Sequence, residues 1–145
     1  MKVSIQREDF DLTAEVDAIR KNNPKIGAVA TFTGQVRDVS MTLEHYPGMT
    51  ENSIRKIIED AQGRWQVMDC TVIHRYGELK PTDQIVLVAV ASAHRGDAFA
   101  ACEFIMDYLK TRAPFWKKEH HAAGANWVEA KASDDDAAER WKPRS

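Results

Sequence analysis

The sequence contains few cysteines, few glycines and prolines, and no long apolar run. Cys70 and Cys102 are the only cysteines, and two isolated thiols in apolar segments form neither a disulfide framework nor a C-x-x-C metal site. We therefore interpret both as small core side chains. The seven glycines and five prolines are a smaller share than the average of about 12%, which excludes a collagen-like or disordered chain.

The chain also lacks a membrane-length segment and an excess of charge of either sign. The longest apolar run, residues 85–91, has the length of a strand, whereas a membrane helix needs about 18 apolar residues. The first residues contain no apolar segment typical of a signal peptide, so we expect a cytoplasmic protein. A net charge of −2 and a pI near 6.2 disfavour a broad nucleic-acid-binding surface, for which a pI above about 9 is usual.

What remains is the composition of a globular domain. The 145 residues are 43% hydrophobic and 29% charged, and a chain of this length buries enough surface for a core without disulfides or metals. We expect one domain over residues 1–145, with a short helix or tail from about residue 133. We see no internal repeat and no low-complexity linker.

The hydrophobic pattern predicts strands that alternate irregularly with helices. Strands are predicted at 2–6, 26–36, 41–46, 68–76 and 84–93, with a hairpin formed by 115–120 and 126–131. Helices are predicted at 11–22, 50–62, 97–112 and 133–141. This order favours an α+β fold with a mostly antiparallel sheet and helices packed against it.

Some details of these elements are specific enough to be checked. Thr50 and Asp97 are the predicted N-caps of their helices. The near-continuous apolar run at 84–93 predicts a strand buried on both faces. The helix that follows has a predicted buried stripe, which consists of Phe99, Cys102, Met106 and Leu109.

A first candidate site lies where this buried strand leads into the next helix. His94 and Arg95 directly precede or open the helix, and the free N–H groups of a helix N-terminus favour an anion. The guanidinium of Arg95 adds a rigid fork of donors, and His94 adds a donor or proton carrier near neutral pH. The alternative is an ordinary loop with exposed polar side chains.

A second candidate is the basic run that follows the same helix. Lys110 and Arg112 lie in its predicted last turn, and Pro114 then allows Lys117 to fold back towards Lys110. Lys117 and Lys118 fall on opposite faces of a strand, so at most one points inward. Lysines beside an apolar wall suit a proton donor, base or nucleophile, although a solvated basic edge is the ordinary alternative.

The third candidate is weaker and lies at 31–37. Gly34 allows close approach of a ligand or a partner backbone, and Arg37 stands just beyond the predicted strand. The three candidates together predict one cationic pocket for an anionic small molecule, formed by Arg37, His94, Arg95, Lys110 and Lys117. The histidines have no ligand spacing with cysteines or carboxylates, so we predict no metal site and no cofactor.

Several stretches resemble the large, catalytic subunit of molybdopterin synthase. The resemblance covers nearly the whole chain in order, and the run at 106–119 is its most specific part. The matching stretches are TFTGQVR at 31–37, LEHYPGM at 43–49, VIHRYGEL at 72–79, SAHR at 92–95, MDYLKTRAPFWKKE at 106–119 and WVEA at 127–130.

The resemblance implies a fold, a reaction and partners. The fold is an α/β-hammerhead-type α+β fold, and the subunit forms a homodimer. Each copy binds one small ubiquitin-like sulfur-carrier subunit, which gives a heterotetramer. The carrier's C-terminal Gly-Gly thiocarboxylate supplies two sulfurs to cyclic pyranopterin monophosphate (precursor Z), forming the dithiolene of molybdopterin. No nucleic acid or membrane is expected as a partner.

The resemblance also implies roles for individual residues. Lys110 and Lys117 are the expected catalytic lysines. The other expected positions bind substrate or shape the pocket: Gln35, Val36, Arg37, His94, Arg95, Lys118 and Glu119 for substrate, and Phe32 and Met106 for the wall. The physical reading agrees, because a phosphate and a thiocarboxylate are both anions that a partly dry cationic pocket attracts.

The sequence departs from the family pattern at two places. The stretch between Arg37 and Leu43 is several residues shorter than the family's usual loop. Lys131 stands where the family often has an arginine that reaches the partner subunit's site, and lysine keeps the charge but lacks the bidentate fork. Two other functions stay open at this point: a non-catalytic binding module for a phosphorylated metabolite or acidic tail, and single-stranded nucleic-acid binding through Phe115, Trp116 and Trp127.

Overall fold

A computed structural model describes the backbone of residues 1–121, 124–128 and 132–142, and the side chains of residues 1–120 and 134–142. The strands in this part of the chain are β1 Lys2–Gln6, β2 Ala28–Gln35, β3 Met41–His45, β4 Asp69–Arg75, β5 Gly77–Leu79, β6 Gln84–Ser92, β7 Phe115–His121 and β8 Gly124–Val128. The helices are α1 Leu12–Arg20, α2 Met49–Arg64, α3 Arg95–Leu109 and α4 Ala132–Glu139. None of the helices in these described ranges is long and apolar enough to cross a membrane.

The strands form two four-stranded sheets, with the orders β1-β4-β6-β2 and β5-β3-β7-β8. The β1–β4 pair is parallel, and the other strand pairs are antiparallel. Helices pack against the first sheet through the main apolar cluster. The predicted α+β class with a mostly antiparallel sheet is therefore confirmed.

The core is centred on β6. The strand is buried from Val86 to Ser92 because helices cover both faces of its sheet, as predicted from its apolar run. Cys70 and Cys102 are free, buried thiols of the main cluster. Burial raises the pKa of Cys70 to about 12 and that of Cys102 to about 11, so both remain protonated and unreactive near neutral pH.

The start of α2 differs from the prediction. Gly48, with a φ of +82°, is the N-cap, and its N–H donates to Oε2 of Glu51 at 2.7 Å. Thr50 lies inside the helix, where its hydroxyl donates to the carbonyl of Tyr46 at 2.8 Å. The prediction of Thr50 as the cap is wrong because the chain turns at Gly48, whose positive φ a glycine adopts without strain, so that the N-cap lies two residues earlier.

The start of α3 differs in a similar way. His94 is the N-cap, and Asp97 lies in the first turn, where its carboxylate accepts from the N–H of Gln66 at 2.9 Å.

Phe99 is 64% exposed, contrary to the predicted buried stripe, because the core-facing arc at this end consists of Ala98 and Ala101. The other three predicted stripe residues are buried as expected.

Candidate active site

A cavity of about 420 Å³ lies between the two sheets, at the C-terminal end of α3. Side chains from the end of β2, from β3, β4, β6 and β7, and from the last turn of α3 form its wall. Its lining residues are Phe32, Gly34, Gln35, Arg37, Met41, His74, Ile85, Val86, Met106, Leu109, Lys110, Lys117 and Glu119.

Three cationic side chains line this cavity. Lys110 is the C-cap of α3, a position at which the helix dipole favours positive charge. Lys117 comes from β7, where it is paired with Leu43 of β3. Arg37 follows β2, and its side chain is 81% exposed at the rim. The prediction that the chain folds back and brings Lys117 near Lys110 is confirmed, since both line the same cavity. The positive charges of the three side chains attract an anion.

The alternation of β7 decides which of its charged residues line the cavity. Lys117 and Glu119 lie two residues apart, so their side chains leave the same face of the strand, and both line the cavity. Lys118 leaves the opposite face, at the register position opposite Thr42, and is not among the lining residues. The expectation that Lys118 lines this cavity is therefore corrected.

The apolar wall matches the expectation for Phe32 and Met106, which both line the cavity. Gly34 lies between Phe32 and β6, where a Cβ would stand 2.9 Å from Cγ1 of Val86 and 3.3 Å from Cε1 of Phe32. Real Cβ atoms essentially never approach as closely as 2.9 Å. A glycine at this position therefore lets Phe32 and Val86 lie side by side in the wall.

Val36 does not line the cavity, although it was expected to bind substrate. Its side chain is 2% exposed and packs in a separate core cluster with Leu43 and Leu79. Its N–H donates to the carbonyl of Asp83 at 2.9 Å, and its carbonyl accepts from the N–H of Thr82 at 2.9 Å. These contacts hold the chain just before Arg37, so Val36 anchors the rim and its side chain packs in the core.

His94 and Arg95 do not join the three other predicted cations. Both are exposed at the N-terminal end of α3, whereas Lys110 ends the same helix. The helix has 15 residues, so at about 1.5 Å per residue its ends are about 22 Å apart. The expectation of one five-cation pocket is corrected for a single chain, because a rigid helix separates the two groups.

His74 lines the cavity, and the sequence reasoning did not single it out. The only signal was its position directly after the buried Val72 and Ile73 of β4, and a histidine in a strand is more often a satisfied core residue. Lys131, expected to act in a partner subunit's site, lies outside the described residues. Among the residues whose side chains are described, no group of three or more potential ligands could hold a metal ion.

The nucleic-acid alternative finds little support in the geometry. The ring of Phe115 stacks on His74, with centroids 3.7 Å apart. The ring of Trp116 lies 4.7 Å from that of Tyr46. Both rings are thus already paired within the protein, whereas single-stranded binding needs aromatic faces that are open to bases.

Comparisons with known proteins find one family model and several similar curated proteins. The family model for the MoaE protein matches residues 5–112. The molybdopterin synthase catalytic subunit of Ralstonia nicotianae is 58% identical over 146 residues, covering 96% of this chain and 83% of that protein. The protein of the same name from Cereibacter sphaeroides is 53% identical, covering 97% of this chain and all of its own length (100%).

Solved structures show the same relationship. The structure of the molybdopterin biosynthesis MoaE protein from Burkholderia ambifaria has a TM-score of 0.86 and 58% sequence identity. The match covers 97% of this chain and 98% of that one. The family model, the curated relatives and the fold thus agree with the resemblance of the sequence motifs, and the chain belongs to the MoaE family.

Proposed function

We propose that this protein transfers sulfur from the C-terminal thiocarboxylate of a small carrier subunit to precursor Z, forming the molybdopterin dithiolene. The observation that carries the proposal is the meeting of Lys110, Lys117 and Arg37 in one cavity beside an apolar wall. The relatives are named catalytic subunits of molybdopterin synthase, and that name implies a second subunit. The resemblance identifies this subunit as the ubiquitin-like carrier.

The chemistry fits these side chains. The thiocarboxylate sulfur forms a bond to a carbon of precursor Z as an oxygen substituent leaves that carbon, which gives a thioester between carrier and pterin. Water then breaks the bond between that sulfur and the acyl carbon, leaving the carrier as a carboxylate and the sulfur on the pterin as a thiol. No electrons enter or leave, and negative charge develops on the acyl oxygen during the second step. An ammonium group of Lys110 or Lys117 stabilises that charge, or the neutral amine form of one of them accepts the proton that water releases.

The substrate's phosphate and the carrier's tail are both anions, so both need cationic contacts. Arg37 at the rim suits the phosphate, because its exposed guanidinium can form bidentate hydrogen bonds. Gln35 and Glu119, which also line the cavity, offer polar contacts to the pterin. Phe32 and Met106 form an apolar surface against its ring system.

We further propose that the active unit is a homodimer within a heterotetramer. One chain cannot bring His94 and Arg95 to Lys110, because α3 holds them about 22 Å apart. A second copy is able to supply these two residues, and Lys131 as well, to the cavity of the first. The chain itself is proposed to act as one domain, and its free thiols agree with a reducing compartment such as the cytoplasm.

The experiment combines the purified protein, thiocarboxylated carrier and precursor Z, and measures molybdopterin formation. Lys117→Ala should reduce turnover by about 100-fold or more. Lys118→Ala, the adjacent lysine on the opposite face, should have a much smaller effect. Equal losses in the two variants would contradict the role of the cavity.

The wild-type protein tests the reaction itself. Product formed only when both carrier and precursor Z are present supports the sulfur-transfer function. If precursor Z binds and no product forms with thiocarboxylated carrier, the function proposed here is wrong, and the protein is instead a non-catalytic binding module for a phosphorylated metabolite.

A further inference from the structure

His74 lies on β4, where the cavity meets the core. It lines the cavity together with Lys110 and Lys117. Its ring stacks on that of Phe115 at 3.7 Å and 17°, and its Nδ1 lies 2.8 Å from the carbonyl oxygen of Arg75. None of the steps of the proposed sulfur transfer uses the His74 ring.

The hydrogen bonds define the tautomer of the ring. A backbone carbonyl oxygen only accepts, so Nδ1 of His74 carries the proton and donates to Arg75. In a neutral imidazole, Nε2 is then the acceptor. His45, 6.0 Å from the same Phe115 ring, is held in a similar way, because Thr50 donates its hydroxyl proton to Tyr46 and so accepts from Nδ1 of His45 at 3.0 Å.

The surroundings keep the His74 ring uncharged. Burial is the main cause that lowers the pKa of His74 to about 4; the hydrogen bond to the Arg75 carbonyl opposes this shift, and electrostatic interaction with Lys110 and His45 adds to it. The neighbouring strands place apolar residues, Ile5 and Val86, at its register positions. Lys117 and Glu119 of β7 and Arg37 of the rim are the other charged groups that line the cavity.

We propose that His74 is a positioning residue for the two cavity lysines, a neutral ring of one tautomer that holds Phe115 in place and presents its Nε2 lone pair beside Lys110. Phe115 is the first residue of β7 and leaves the same face as Lys117, two residues later. The stack therefore sets where Lys117 enters the cavity. A protonated ring would instead place a further positive charge against Lys110.

The first test needs neither substrate nor carrier. Nitrogen-15 NMR of the histidine rings in the full chain, assigned through His74→Phe, reports both tautomer and charge. We expect the Nδ1–H tautomer of His74, uncharged at pH 6. An Nε2–H tautomer, or a ring that is charged at pH 6, would overturn the proposal.

The second test measures the lysines directly. An amine-reactive reagent is applied briefly, and mass spectrometry gives the labelling of Lys110 relative to Lys21, which occupies the corresponding C-cap position of α1. In His74→Phe the ring no longer offers the Nε2 acceptor to the Lys110 ammonium group, so Lys110 should react more readily. We expect the labelling ratio of Lys110 to Lys21 to rise by about 2- to 10-fold, the range expected for one hydrogen bond. An unchanged ratio in a variant with wild-type thermal stability would refute the contact with Lys110.

The kinetic test rests on the proposed function. His74→Phe keeps an aromatic ring on Phe115, and His74→Asn keeps an amide donor for Arg75. Each should lower kcat by about 10-fold or more with a smaller change in KM, since small displacements of catalytic groups are costly. His45→Phe is the matched control, because it changes the other histidine beside Phe115 without altering the cavity wall.

The outcomes separate the two proposals. A kcat loss in His45→Phe as large as that in His74→Phe would assign the effect to packing around Phe115 and overturn the cavity role. If the NMR and labelling results are as expected but wild-type protein makes no product, the positioning of Lys110 by His74 stands and the sulfur-transfer function fails. If both His74 variants have wild-type kcat, the sulfur-transfer function stands and the positioning role of His74 is wrong.

Discussion

The two ends of α3 carry similar charges but have different surroundings. At the N-terminal end, His94 and Arg95 are exposed, and the first turn also contains the carboxylate of Asp97. At the C-terminal end, Lys110 reaches a cavity that Lys117 and the apolar wall complete. The difference shows that a helix N-terminus with cationic neighbours is not by itself a pocket, since no described residue of this chain encloses His94 and Arg95.

Removal of the lysine at the C-terminal end of α3 should have the largest effect. Lys110→Ala should lower molybdopterin formation by about 10²- to 10⁴-fold, the usual contribution of one acid–base group. The fold should persist because Lys110 is exposed at a helix end. Lys21→Ala is the matched control, since Lys21 is the C-cap of α1, and its turnover should equal that of the wild type.

Mixing two inactive variants tests whether the two ends of α3 contribute to the same site. If the site combines Lys110 of one copy with Arg95 of the other, exchange of subunits between Lys110→Ala and Arg95→Ala dimers restores one intact site in each mixed dimer. Random exchange then recovers about a quarter of wild-type turnover, from the statistics of a two-fold dimer. If no activity returns after exchange is confirmed by mass spectrometry, the two ends of α3 do not share a site.

The pH dependence of stability tests the enclosed end through His74. Its pKa is lowered from 6.5 to about 4 in the fold, so between these values the unfolded chain binds more protons than the folded one. This group therefore stabilises the fold fully above pH 6.5, and the contribution is lost as the pH falls towards 4. Denaturant titrations should show a loss on the order of 1–3 kcal/mol over this range. In His74→Phe that loss should be smaller.

The smallest effects are expected at the exposed end. Asp97→Ala should lower the free energy of unfolding by about 1 kcal/mol, because its bond from the Gln66 N–H and its charge in the first turn are both lost. Phe99→Ala should change it by less than about 0.5 kcal/mol, since the ring is 64% exposed. A larger loss for Phe99 than for Asp97 would show that this end is packed more closely than described.

Features that depend on the local periodicity of side chains along a strand could be predicted well from the sequence. The alternation of β7 correctly placed only one of Lys117 and Lys118 in the cavity. The apolar run before α3 correctly predicted a strand buried on both faces. These patterns follow from the geometry of two residues per strand repeat, which every strand shares.

Features that depend on contacts between segments distant in the sequence could not be predicted from it. His74 was overlooked because the role that we propose for it rests on Phe115, which is far along the chain but stacked against it. Val36 was expected from the resemblance to bind substrate, yet its backbone bonds Thr82 and Asp83 and its side chain packs in the core. Neither contact leaves a mark in the local pattern of the chain.

By itself, the sequence determined the class of fold, the order of most elements and, through its motifs, the family. The tertiary structure decided which cations share a cavity, bringing Arg37, Lys110 and Lys117 together and leaving His94 and Arg95 at the far end of α3. The physical reason is that helix and strand periodicities are set by the covalent chain, residue by residue. A cavity exists only where separate segments pack against one another, and the length of α3 sets how far apart its two charged ends lie.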